Sequence, residues 1–212
     1  MMKPVPKSGF YSTNMYGRIT LLSFEDVLGK RGLNVLLNLA SLSGLIDHYP
    51  PSNMDRGFDF ADQAAILVAL EELYGPRGGR GLAVRAGRSS FKGLLDNFGT
   101  LSGITDLADK ELPFQAKMGS GLACAAKTFT EVSDQQTTVQ EVDDSFIWTI
   151  HHCPSCWSRQ GADKPVCAVT VGFLQAGLNW LSNGHEFHVN ETRCCALGDA
   201  SCDFVIQKDP VS

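Results

Sequence analysis

The sequence predicts an α+β fold in which a helical layer packs on an antiparallel sheet. Helical spacing of apolar residues dominates the chain as far as residue 131. From residue 137 onward the pattern becomes two strands, one helix and two further strands. Because helices come first and strands are grouped later, the sheet is expected to be antiparallel with helices on one face. A length of 212 residues is enough for one sizeable core.

We expect an extended arm over residues 1–20 and a single domain over residues 21–208. The arm is rich in Pro, Gly, Ser and Tyr. Ser23 followed by Asp26 fits a capping box and predicts a helix start there. A second helix is predicted from Asp59 to Gly75-Pro76, and a third spans residues 113–131.

A short internal repeat lies inside this helical part. The two copies are Leu28-Gly29-Lys30-Arg31-Gly32 and Tyr74-Gly75-Pro76-Arg77-Gly78. Each copy predicts a glycine turn that leads into a new helix. Two copies are too few for a solenoid, so we expect either a pair of helical hairpins or a duplicated motif within one helical layer.

The C-terminal part predicts strands over residues 137–142 and 146–150, joined by a turn at Asp143-Asp144. A helix follows over residues 166–181, with Val166, Val169, Phe173 and Trp180 on one face. Two more strands are predicted near residues 186–191 and 202–206.

Composition is that of an ordinary globular protein, with 43% hydrophobic and 19% charged residues. The net charge is −5 and the basic groups are scattered, so we expect no nucleic-acid partner. No apolar run approaches the ~20 residues of a membrane span, and the N-terminus lacks an apolar signal core. We therefore expect a cytoplasmic protein whose 7 cysteines are reduced and available as ligands.

A metal site is predicted where the last two strands meet. Strand alternation places Glu191 on the same face as Phe187 and Val189, and Cys202 on the same face as Phe204 and Ile206. A buried carboxylate without a partner is unfavourable, and a cation would offset that cost. Gly198-Asp199 supplies a turn that brings Cys194 close to Cys202. Cys167, at the start of the preceding helix, completes three thiolates and one carboxylate, a donor set typical of four-coordinate zinc.

Other cysteine arrangements stay open. Cys153 and Cys156 form a Cys-x-x-Cys pair that predicts a second metal or redox site, or a rival site with Cys167. Iron or an iron–sulfur cluster uses similar thiolate ligands. Cys195 adjoins Cys194, and spacing favours Cys194 as the ligand. Alternatively, the cysteines are small core residues.

The same residues resemble the 4-vinyl reductase domain family, also called hydrocarbon-binding domains. The resemblance rests on Pro165-Val166-Cys167, Gly172-Phe173 and Val189-x-Glu191-x-x-Cys194-x-x-x-Gly198-Asp199-x-x-Cys202-x-Phe204. It implies a fold like a transport-complex subunit and like nitric-oxide-signalling-associated domains, and it implies homodimers. Related aromatic-sensing domains hold zinc with one Cys, one Glu and two further Cys. On matching positions these ligands are Cys167, Glu191, Cys194 and Cys202.

The resemblance implies a metal-stabilised module that binds an apolar, aromatic or tetrapyrrole-like small molecule, as a sensor or a carrier. Aromatic residues of the sheet and its adjoining helix are the pocket candidates: Phe146, Trp148, Phe173 and Trp180. Two alternatives remain, an enzyme or accessory factor in bacteriochlorophyll vinyl-group reduction, and a thiol redox or iron–sulfur protein. A closed four-ligand site and the lack of a nucleotide fingerprint favour binding over catalysis.

Overall fold

Helices cover one face of an antiparallel sheet, and the α+β prediction is confirmed. The computed structural model describes residues 4–108 and 110–211. The elements are β1 (Tyr11–Thr13), α1 (Asn14–Leu39), β2 (Arg56–Asp59), α2 (Phe60–Ser102), α3 (Ile104–Ala108), α4 (Phe114–Val132), β3 (Gln136–Val142), β4 (Ser145–His151), α5 (Ala168–Leu181), β5 (Phe187–Arg193) and β6 (Cys202–Pro210). The main sheet has the order β3-β4-β6-β5, and β1 pairs separately with β2. Within the described ranges, no helix combines the length and hydrophobicity that a bilayer crossing needs.

Helix α1 begins earlier than the sequence pattern predicts. Thr13 caps it, because its side chain accepts a hydrogen bond from the Tyr16 backbone N–H. Ser23 lies inside the helix, where its hydroxyl donates to the Ile19 carbonyl at 2.7 Å. The predicted capping box at Ser23 is therefore wrong, and residues 14–20 are helical rather than extended.

The two glycine turns of the internal repeat have nearly the same backbone geometry. Gly29 has φ 70° and ψ 161°, and Gly75 has φ 72° and ψ 164°. Both angles lie in a region that L side chains rarely adopt, so glycine is required at each position. Helices α1 and α2 are each broken there, which confirms the predicted turns into new helices.

Helices α2 and α5 pack so closely that their backbones touch. A Cβ atom at Gly87 would lie 2.0 Å from the Val169 carbonyl oxygen. In the same way, a Cβ atom at Gly172 would lie 2.0 Å from the Val84 carbonyl oxygen. This reciprocal glycine contact fixes the position of α5, and thereby of Cys167 at its N-terminal end.

One face of the main sheet is buried against α4 and α5. The buried residues alternate along β4 as Phe146, Trp148 and Ile150, as strand geometry requires. Register sets Ile150 opposite Cys202. The order β4-β6-β5 places the residues that follow β4 beside the hairpin of β5 and β6.

Candidate metal centre and adjoining cavities

Six metal-ligating side chains converge at one end of the sheet. Two groups of four have all their donor atoms within 4.8 Å of one another. The first group is the predicted one, Cys167, Glu191, Cys194 and Cys202. The second group consists of Cys153, Cys156, Cys167 and Cys202. The Cys-x-x-Cys pair therefore joins the predicted residues in one cluster instead of forming a separate site.

Strand alternation accounts for two of these donors. Burial alternates along β5 and β6, so that Glu191 and Cys202 face inward with Val189 and Phe204. Glu191 is opposite Phe204 in the β5–β6 register. Cys202 is fully buried, and Glu191 retains only 9% of its exposure.

The turn between β5 and β6 positions Cys194. Gly198 has φ 99°, and the backbone N–H of Cys194 donates to the Asp199 carboxylate at 2.8 Å. The adjacent Cys195 is half-buried and its side chain belongs to neither group of four. Its backbone N–H instead donates to the Cys202 sulfur at 3.3 Å, a contact that stabilises negative charge on that sulfur.

A single turn of 3₁₀ helix, Pro154–Cys156, positions the Cys-x-x-Cys pair. The Cys156 backbone N–H donates to the Cys153 carbonyl at 3.1 Å, and both side chains are buried. Cys156 Sγ lies 3.3 Å from Cys167 Sγ and 3.4 Å from the sulfurs of Cys194 and Cys202. Cys156 thus lies at the centre of the thiol cluster. Spacing along the chain could not show this, because it depends on β4 lying next to β6.

Glu191 is only half satisfied by the protein. One carboxylate oxygen accepts a hydrogen bond from the Cys167 backbone N–H at 2.9 Å. The other oxygen is buried and has no hydrogen-bond partner among the described residues. Burial raises the pKa of Glu191 to about 8, although hydrogen bonds from Cys167 act in the opposite direction.

Mutual contacts also perturb the thiols. The contact with Cys156 tends to raise the pKa of Cys194, but contacts with Cys167 and Cys202 outweigh it and lower that pKa to about 6. Contact with Cys153 and the other thiols lowers the pKa of Cys156. Burial raises the pKa of Cys167, and contacts with Cys153 and Cys156 raise the pKa of Cys202, so these two thiols are protonated when no ion is bound. Soft thiol donors beside an unpaired carboxylate oxygen are what a zinc-like cation takes, and its binding deprotonates them.

All six donors lie inside one segment with a recognisable family pattern. Residues 146–208 match the family model of the 4-vinyl reductase domain. The predicted resemblance to that family is confirmed over this matched segment, which runs from β4 to β6. No curated protein is similar enough to this chain to count as a match.

Solved structures of H-NOX proteins share the fold over nearly the whole chain. An H-NOX protein from S. oneidensis in the Fe(II)NO ligation state has a TM-score of 0.56 and 13% identity, covering 92% of this chain and 99% of that chain. The Fe(II) unliganded H-NOX protein from K. algicida has a TM-score of 0.56 and 13% identity, covering 93% and 96%. A structure that probes heme distortion in the H-NOX family has a TM-score of 0.56 and 12% identity, covering 95% and 97%. The predicted nitric-oxide-signalling-like fold is confirmed.

Two adjoining cavities lie between the matched segment and the helices that precede it. The first offers about 40 Å³ of free volume and is lined almost wholly by apolar side chains of α2, α3, α4 and α5. The second, with about 20 Å³ of free volume, also has polar residues in its wall. Leu94, Phe129 and Phe173 line both cavities. Pro154, from the turn that carries the Cys-x-x-Cys pair, lines the second.

The four predicted pocket residues have different positions. Phe173 lines both cavities and Trp148 lines the second. Phe146 packs under α4, where a Cβ atom at Gly119 would lie 3.1 Å from its ring. Trp180 packs on Phe91, with ring centroids 6.0 Å apart. Neither Phe146 nor Trp180 belongs to the described linings of these two cavities.

Polar residues of the second cavity were not foreseen from the sequence. Gln63, Tyr16 and Gln135 line it together with Trp148. The indole nitrogen of Trp148 and the side-chain oxygen of Gln63 are buried without partners among the described residues. Burial raises the pKa of Tyr16 to about 12, against a hydrogen bond with Gln63 that lowers it, so its phenol stays neutral. No local pattern marks these side chains, since they come from three distant segments.

Proposed function

We propose that the chain is a metal-stabilised module that binds a small aromatic molecule carrying one hydroxyl group. The observation that carries this proposal is the apolar cavity that adjoins two unpaired, buried polar atoms. Apolar walls with a few converging polar groups are typical of small-molecule sites. The 4-vinyl reductase domain match and the H-NOX fold support a sensor or carrier of this kind.

The polar atoms indicate the chemistry of the ligand. The indole N–H of Trp148 can only donate, and the side-chain oxygen of Gln63 can only accept. A hydroxyl group accepts and donates at the same time, so it has the chemistry that each of these atoms lacks. Leaving either one unpaired costs about 1–3 kcal/mol, which a matching ligand would recover.

The free volume admits at most a small ring. About 40 Å³ is far below the range for ligand pockets, about 300–1,000 Å³, so the aromatic side chains that line this space must move apart when a ligand binds. The lining supplied by Phe91, Phe129 and Phe173 favours an aromatic ring through edge and face contacts. A single aromatic ring needs much less opening of this space than the tetrapyrrole that was one of the predicted ligands.

Heme, named for one of the H-NOX structures, does not fit these cavities. Heme iron needs an axial ligand such as His, Cys, Met or ionised Tyr. All five histidines of this chain are exposed. Neither described lining contains a His, Cys or Met residue, and Tyr16 of the second lining has a raised pKa that keeps its phenol protonated. We therefore derive no heme chemistry for this protein.

A zinc-like ion, in contrast, fits the cysteine cluster. The predicted set of Cys167, Glu191, Cys194 and Cys202 supplies four donors, and the unpaired oxygen of Glu191 is satisfied by a cation. A bound ion would supply structural cross-linking here. These residues join the N-terminal end of α5 to the β5–β6 hairpin, close to the cavity wall.

Calorimetric titration with phenol and with toluene tests the ligand chemistry, since the two differ in one group on the same ring. We expect phenol to bind more tightly, by about 2- to 10-fold for one net hydrogen bond of about 0.5–1.5 kcal/mol. Trp148→Phe should reduce that preference. Trp157→Phe is the matched control, because Trp157 is half-exposed and donates to the Pro6 carbonyl, away from both cavities.

Two results would contradict the proposed ligand. One is the absence of heat with both compounds at millimolar concentration. The other is equal affinity for phenol and toluene that Trp148→Phe leaves unchanged.

The remaining expectations stay predictions. They are the homodimer, the cytoplasmic location, a role in bacteriochlorophyll vinyl-group reduction and a thiol-redox function of Cys153 and Cys156.

The distances between the cysteine sulfurs bear on the iron–sulfur alternative. Each thiolate of a four-iron cluster binds a different iron, which holds the sulfurs farther apart than the 3.3–3.5 Å seen here.

A further inference from the structure

The cluster holds more donors than one tetrahedral ion uses. Five buried thiols and one carboxylate lie together, whereas a closed structural zinc site takes four ligands. An ion on the predicted four donors would leave Cys153 and Cys156 as unused thiols in direct contact with ligand sulfurs. An ion on the second group of four would instead leave Glu191 and Cys194 without a metal ion.

The two groups overlap in a specific way. They share two residues, Cys167 and Cys202, and each adds two residues of its own. Two tetrahedral ions that share two bridging ligands need six ligands in total, which is the number present. The bridging pair is already close, with 3.7 Å between the two sulfurs.

The position of Cys156 places it among the ligand sulfurs. Its sulfur contacts the sulfurs of Cys167, Cys194 and Cys202 at 3.3–3.4 Å. Four sulfurs about 2.3 Å from one zinc ion stand about 3.8 Å apart, so one ion accounts for the contacts of Cys156 with Cys167 and Cys202 after a small expansion. Cys156 and Cys194 would belong to different ions, so their contact must open when both ions bind.

We propose that the cluster is a dinuclear centre in which Cys167 and Cys202 bridge two zinc-like divalent ions. Cys153 and Cys156 complete the coordination of the first ion, which has four sulfur ligands. Glu191 and Cys194 complete the second ion, which has three sulfur ligands and one oxygen ligand. This inference rests on the proposed metal-stabilised module and adds a second ion to it.

The ion with four sulfur ligands would also support the ligand cavity. Cys153 and Cys156 flank Pro154, which lines the second cavity. Val169 and Thr170, which line the same cavity, follow the bridging Cys167 closely in α5. Loss of this ion therefore loosens the cavity wall while the second ion continues to hold the β5–β6 hairpin.

Native mass spectrometry with elemental analysis measures the number of ions on the full chain, reconstituted with zinc alone. We expect two ions in the unmodified protein. We expect one in the double variant Cys153→Ser/Cys156→Ser, and one in Glu191→Gln/Cys194→Ser. Cys124→Ser is the matched control and should keep two, because Cys124 lies on α4 outside the cluster.

Cadmium-113 NMR of the cadmium-loaded, unmodified protein counts the ions without depending on the folding of any variant. We expect two resonances, one in the range of four-sulfur sites and one in the range of sites with three sulfurs and one oxygen. The Cys153→Ser/Cys156→Ser variant should lose the four-sulfur resonance only. Its phenol affinity should fall, because the cavity wall is no longer held.

The outcomes separate the second ion from the metal-stabilised module. One ion in the unmodified protein, kept by Cys153→Ser/Cys156→Ser and lost by Glu191→Gln/Cys194→Ser, overturns the dinuclear centre and leaves the module standing. One ion that depends on Cys153 and Cys156 overturns both the dinuclear centre and the predicted ligand set. A protein that binds no zinc overturns the metal centre altogether.

Discussion

Replacing Gly87 with alanine tests the packing that positions both the metal centre and the cavities. The added Cβ atom would lie 2.0 Å from the Val169 carbonyl oxygen, and real Cβ contacts almost never fall below 3.0 Å. Helices α2 and α5 must therefore separate by about 1 Å or more. Such a gap forfeits about a quarter to a half of the dispersion energy of each contact that it opens.

Overpacking of this kind usually costs about 1–3 kcal/mol. We expect the upper end or beyond, because the obstacle is a backbone atom that cannot change rotamer. The urea midpoint, followed by circular dichroism at fixed zinc concentration, should fall by about 1 M or more. Gly172→Ala should behave alike, since it meets the Val84 carbonyl at the same 2.0 Å.

Gly81→Ala on the same helix is the matched control. Gly81 is exposed, and nothing lies within 4 Å of its added Cβ atom. Alanine there should raise stability by about 1 kcal/mol through helix propensity alone. A Gly87→Ala protein as stable as the unmodified one would refute the close contact between α2 and α5.

Two further predictions concern the cavity and the carboxylate. Phe173→Ala should lower the free energy of unfolding by about 3–5 kcal/mol. It should also join the two cavities, so that calorimetric titration shows 2-naphthol binding more tightly relative to phenol. An unchanged ratio of the two affinities would count against Phe173 as the shared wall. In the metal-free protein, the raised pKa of Glu191 favours the folded state at low pH, and this stability should be lost as pH rises from about 4.5 through about 8. Urea melts in chelator should therefore show a fall that Glu191→Gln lacks, and identical pH profiles of the two proteins would contradict the burial of this carboxylate.

Local patterns predicted those parts of the fold that depend on alternation and turns. Parity placed Glu191 and Cys202 on the buried face, and the Gly29 and Gly75 turns have the predicted role. The start of α1 was missed because two cap-like residues compete, and Thr13 rather than Ser23 lies where the backbone leaves the strand β1. A capping pattern alone does not reveal which cap the surrounding packing selects.

Long-range pairing explains the other differences. Only the order β4-β6-β5 brings Cys153 and Cys156 to the predicted donors, and strand order is not encoded in any single segment. The contact between Gly87 and Gly172 joins residues of two helices whose sequences give no sign of it. The unpaired indole nitrogen of Trp148 likewise depends on what packs around it, so the polar end of the cavity required the structure.

Elemental analysis, paired with thermal unfolding before and after chelator treatment, tests metal stabilisation most directly. Structural zinc sites contribute about 10–16 kcal/mol in small zinc-dependent domains, which is comparable with a total stability of about 5–15 kcal/mol. We expect zinc to co-purify with the chain, and chelation to unfold the protein or lower its midpoint steeply, with recovery when zinc is restored. A protein that is metal-free as isolated, and whose midpoint a chelator does not change, would contradict metal stabilisation.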